Sequence, residues 1–104
     1  MKIGIEIAAA PGERQAQVGM ALATRAAREG HETFLYLIDE GIRFAEGHDE
    51  TVRAFTSAGG KLFVCAYSCQ RRGLPSAGLP EATYCGLVTL ADILVASERF
   101  LCFS

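Results

Sequence analysis

Two periodicities divide the chain. Residues 2–8, Lys-Ile-Gly-Ile-Glu-Ile-Ala, alternate in character and are rich in β-branched isoleucine, which predicts a first strand. Pro11-Gly12 breaks it. From Glu13 to Glu29 the chain is dominated by Ala, Arg, Gln and Met, all good helix formers. Val18, Ala21, Leu22 and Ala26 recur at helical spacing as the expected buried face, and Gly30 stands where a helix C-cap belongs. Residues 32–38, Glu-Thr-Phe-Leu-Tyr-Leu-Ile, are almost continuously apolar, the mark of a strand covered on both faces, as in a parallel sheet.

Asp39-Glu40-Gly41 predicts a turn, and Ile42 to Ala45 a short helix. Asp49 is placed to cap a further helix through Ala58, with Val52 and Phe55 turned inward and Gly59-Gly60 ending it. Lys61 to Cys65 is the third strand, and Ala66 to Arg72 a short helix closed by Gly73. Residues 74–80, with two prolines and a glycine, are loop, and a fifth strand fits around Ala82 to Tyr84. A last helix is expected from Cys85 to Ala96 with Leu87, Leu90, Ile93 and Leu94 on one side, then a strand from Phe100 to Phe103. The pattern implies a single α/β domain over residues 1–104. Its mainly parallel sheet of about five strands carries helices on both faces. Ligands of such sheets gather beyond the carboxyl ends of the strands, here Ala8–Glu13, Ile38–Gly41 and Cys65–Gln70.

Composition narrows the function. Half of the 104 residues are hydrophobic, enough for a core without metal or disulfide staples. Ten basic against twelve acidic side chains, with no basic stripe, argue against a nucleic-acid binder. No apolar run approaches the roughly 18 residues of a membrane helix, and Met1-Lys2 leads into a strand without a signal-peptide pattern, so the expected location is the cytoplasm. The cysteines at 65, 69, 85 and 102 are separated by three, fifteen and sixteen residues, which fits neither C-x-x-C zinc nor thioredoxin-like spacing. Free thiols are expected.

Cys65 is the leading chemical candidate. It ends strand three and opens the next helix, where unpaired backbone N–H groups and the helix dipole favour the thiolate that attacks sulfane sulfur. The structural alternative is a small buried residue ending a strand. Cys69, one turn on, reads as packing; a resolving role would require that turn to distort. Cys85 and Cys102 read as core filling, at an apolar helix start and in an apolar strand. Arg71-Arg72-Gly73 is ordinary helix-ending chemistry on a solvated surface. Asp39 and Glu40 read chiefly as turn residues, His31 as a satisfied surface histidine and His48 as part of a polar loop. No metal site, phosphate-binding loop or other cofactor site emerges.

Three segments carry a resemblance. Residues 26–42, Ala-Ala-Arg-Glu-Gly-His-Glu-Thr-Phe-Leu-Tyr-Leu-Ile-Asp-Glu-Gly-Ile, place a helix end at Gly-His before a hydrophobic strand and an acidic turn. Residues 64–74, Val-Cys-Ala-Tyr-Ser-Cys-Gln-Arg-Arg-Gly-Leu, place a cysteine at a strand end before a short helix and Arg-Arg-Gly. Residues 85–100, from Cys-Gly-Leu to Glu-Arg-Phe, supply the closing helix and strand. In this order and spacing they resemble the DsrE/DsrF-like, TusD-like sulfur-relay proteins. Glu40 is inserted between Asp39 and Gly41, and Cys85 stands where those proteins usually carry serine. The resemblance implies a three-layer flavodoxin-like subunit that assembles into trimers or hexamers. It also implies persulfide carriage of the sulfurtransferase kind, with sulfur-donor and acceptor proteins as partners, and gives the carrying role to Cys65. The alternative is a non-catalytic binding or assembly subunit of an oligomeric complex, as some relatives of this fold are. A thiol-based redox sensor using Cys65 and Cys69 is a third reading.

Overall fold

The computed structural model describes residues 1–47 and 49–104; His48, expected in a polar loop, lies outside the described residues. The strands are β1 (Lys2–Ile7), β2 (Glu32–Leu37), β3 (Lys61–Cys65), β4 (Ala82–Cys85) and β5 (Arg99–Phe103). The helices are α1 (Arg14–Arg28), α2 (Glu50–Ser57), α3 (Ala66–Arg71) and α4 (Leu87–Ala96), and a 3-10 segment covers Asp39–Ala45. All strand pairs are parallel, in the order β4-β3-β2-β1-β5. The central strand is β2, which explains its near-continuous apolar run.

From β1 to β4 the chain advances steadily in one direction, then returns to lay β5 outside β1. Right-handed crossovers therefore put α1, α2 and α3 on one face and α4 on the other. This is a three-layer, flavodoxin-like α/β fold whose direction reverses between β1 and β5 rather than between β1 and β3. On the α1 side, Ile5, Ile7, Leu35, Leu37, Leu62 and Val64 meet Met20, Ala23, Val52 and Phe55 in one buried cluster.

Helix α1 does not bury the face expected of it. Of the four expected residues Ala26 is buried, but Val18, Ala21 and Leu22 are exposed, and Ala16, Gly19, Met20, Ala23 and Ala27 take their place. Small residues win this face because the helix sits tight on the sheet: a Cβ at Gly19 would press on the Phe103 ring and on Ile7. Helix α4 begins two residues later than expected, because Cys85 is the last residue of β4. Of its four expected core residues only Ile93 is fully buried, while Leu87 and Leu94 are exposed. Cys102 is also exposed, since β5 is an edge strand, so it fills no core.

A candidate thiol site at the end of β3

Cys65 is the last residue of β3 and the N-cap of α3, with extended backbone angles. Its Sγ accepts the backbone N–H of Ser68 at 3.4 Å, one of the donors that a helix start leaves unpaired. Helix α3 is only six residues long, so this direct donor, rather than a macrodipole, is the electrostatic support the sulfur receives. The thiol is 1 % exposed.

Ser68 ties this strand end to the next. Its Oγ accepts the backbone N–H of Asp39 at 3.0 Å, and Asp39 takes a left-handed φ of 50° to present that N–H. Two of the three segments singled out as strand ends, Ile38–Gly41 and Cys65–Gln70, thus meet directly. Arg72 is not solvated surface: it is 22 % exposed, donates to Glu40 at 2.6 Å and lies 3.8 Å from Asp39. It reaches the acidic turn because α3 ends beside the 3-10 segment, a proximity that spacing along one helix could not reveal. Glu40 also accepts from Arg43 at 2.7 Å. Arg43 and Arg72 together hold its carboxyl below the usual range. Asp39, Glu40, Tyr67, Ser68, Arg71 and Arg72 line a polar notch of about 360 Å³ over α3.

Side chains alternate along β3, so Cys65 shares the α4 face with Lys61 and Phe63. Tyr36, in register with Phe63, lies on that same face. It is fully buried and donates its hydroxyl to the carbonyl of Gly86 at 3.0 Å. Burial first, then the neighbouring Cys65 and Cys85 sulfurs, push its phenol far above the ordinary value. Cys85 is paired in register with Cys65 across β3 and β4. Burial raises its thiol pKa, while the hydroxyls of Thr89 and Tyr36 pull it back. Burial likewise raises Cys69, which is packed in the core as expected. Sequence reading overlooked Tyr36 and Cys85. Extending the fifth strand by one residue would have put Cys85 at a strand end like Cys65, but their pairing depends on strand order and register.

A larger cavity of about 690 Å³ opens on the α2 side, among Ile42, Phe44, Val52, Leu79 and Tyr84; none of the four cysteines lines it. Among the described residues no three His, Cys, Asp or Glu side chains gather as metal ligands.

The family model of the DsrE/DsrF-like proteins matches residues 1–103. The chain belongs to the DsrE/DsrF-like family. Among solved structures, the DsrE-like fold is similar to that of the YchN protein from E. coli at a TM-score of 0.87 and 19% identity, covering 99% of each chain. A conserved protein of unknown function from Bacteroides thetaiotaomicron is similar at a TM-score of 0.72 and 15% identity, covering 98% of this chain and 94% of its own. No curated protein matches the sequence. For a DsrE-like chain the fold alone does not say what the thiol does; that depends on its surroundings.

Proposed function

We propose that this DsrE/DsrF-like chain is a sulfur-relay protein in which Cys65 accepts a sulfane sulfur as a persulfide and passes it to a partner. The Ser68 N–H directed at Cys65 Sγ carries the reading, because it stabilises negative charge on the sulfur that must attack and later leave. In the loading step the Cys65 thiolate attacks the terminal sulfur of a donor persulfide. A new S–S bond forms on Cys65, the donor's S–S bond breaks, and the donor leaves as thiolate. Delivery is the same exchange run toward an acceptor thiol, so donor and acceptor proteins are both required. Such an exchange is sulfurtransferase chemistry that consumes no cofactor, and four free cysteines suit a reducing cytoplasm.

A thiol that is 1 % exposed cannot meet a donor while the strand end is closed. The six-residue α3 and the loop behind it, with Pro75 and Pro80, form the small unit whose opening exposes the sulfur when a partner docks. Helix α4 supports assembly: Val88 and Val95 are 78 % and 85 % exposed, and Asp92 is its one charged residue. A helix with so much exposed apolar surface belongs against another surface, and a second copy of the chain in a trimer or hexamer would cover it.

The alternative, a non-catalytic binding or assembly subunit, is favoured by the burial of Cys65 itself. Intact mass after incubation with a persulfide donor separates the two. A one-sulfur gain in the wild type that is lost in Cys65→Ser is the expected result; no gain in either leaves the assembly subunit as the reading.

A further inference from the structure

Cys65 and Cys85 end adjacent parallel strands as register partners, with their side chains on the same face. Neighbouring strands lie about 4.7–4.9 Å apart, inside the roughly 4.4–6.8 Å Cα separation that a disulfide spans. We propose that Cys85 is the resolving thiol for Cys65, closing a Cys65–Cys85 disulfide that discharges the carried sulfur as sulfide. This inference rests on the sulfur-relay reading of Cys65.

In the step, the Cys85 thiolate attacks Sγ of the Cys65 persulfide. The Cys65–Cys85 S–S bond forms, the bond to the outer sulfur breaks, and that sulfur leaves with the electron pair as hydrosulfide. The outer sulfur is reduced and the two cysteine sulfurs are oxidised. An external dithiol then restores both thiols by exchange.

The surroundings favour Cys85 over Cys69 for this role. Cys69 lies inside α3, four residues past the extended N-cap Cys65, and is not a register partner of it. Its carbonyl is also held by the N–H groups of Arg72 and Leu74. Cys85, in contrast, ends a four-residue edge strand and precedes Gly86, so little resists the small shift that closure needs. It is also half-buried where Cys65 is sealed, which gives the released sulfide a way out. The Tyr36 hydroxyl, bonded to Gly86, lies at the same strand end and orders the pair from below.

Two arms test the pair. In the first, reduced protein is treated with oxidised glutathione, digested with trypsin without reductant and mapped by mass. A link between peptides 62–71 and 73–99 is expected in the wild type and in Cys69→Ser, and in neither Cys85→Ser nor Cys85→Ala. Loss of two hydrogens within peptide 62–71 alone would name Cys69 instead and overturn the proposal. In the second, protein loaded from a persulfide donor is followed by mass and sulfide release, with circular dichroism confirming that each variant is folded. Wild type should shed its added sulfur at least an order of magnitude faster than Cys85→Ser. Equal retention in both overturns the resolving role while leaving the carrier intact. A 62–71 to 73–99 link in the wild type with no sulfur uptake by Cys85→Ser, which cannot discharge it, overturns the sulfur-relay reading instead and leaves a redox pair.

Discussion

Gly41 has ordinary backbone angles, and its constraint is purely spatial. A Cβ there would overlap the backbone carbonyl of Ile7, a group that cannot yield as a flexible side chain would. Gly41→Ala is therefore expected to cost about 3 kcal/mol, at the upper end of overpacking penalties, visible as a lower urea midpoint at unchanged slope. Tyr36 is the second critical residue. Tyr36→Phe keeps the ring that fills the α4 side but leaves the Gly86 carbonyl without its partner, for an expected loss of about 1 kcal/mol. An undiminished midpoint would show that water replaces the hydroxyl. Neither residue stands out along the chain, because each is defined by a group that approaches from a different element.

At the scale of elements, the starts of α1, α2 and α3 and the buried face of α2 were legible, whereas the faces of α1 and α4 were not. Asp49 caps α2 as its sequence position implies, accepting the Thr51 N–H at 2.9 Å. Asp49→Ala should lower stability by about 1 kcal/mol in thermal or urea unfolding. The α1 face was misread because periodicity marks the larger apolar residues, whereas close approach to the sheet selects Ala and Gly. Glu40 joins the 3-10 segment to α3 through Arg72, and its pKa is lowered by Arg43 first and Arg72 next. A depressed carboxyl adds stability that is complete above its unfolded pKa and is lost as pH falls through the folded value. The urea midpoint should thus fall as pH drops below about 4.3, the ordinary glutamate value, and fall less steeply in Arg72→Ala. Parallel acid profiles in the two proteins would mean that Arg72 contributes nothing to this linkage.

The molecule as a whole leaves one face of its sheet under-covered. Helix α4 alone lies over it, and Phe34 and Phe63, with ring centroids 6.4 Å apart, remain half-buried beside it. If copies assemble through α4, Val88→Glu with Val95→Glu should yield a folded monomer in multi-angle light scattering. An unchanged mass would put the contact elsewhere.

Fold class, strand count and the placement of Cys65 at a strand end were already written in the local pattern, since periodicity, turn residues and caps act over a few neighbours. Three things required the folded chain: the Cys65–Cys85 pairing, the Ser68–Asp39 link and the turning of Arg72 onto Glu40. Each joins residues about 20 to 30 positions apart. Strand order and register bring such groups together, and these emerge only when the whole sheet closes around its core.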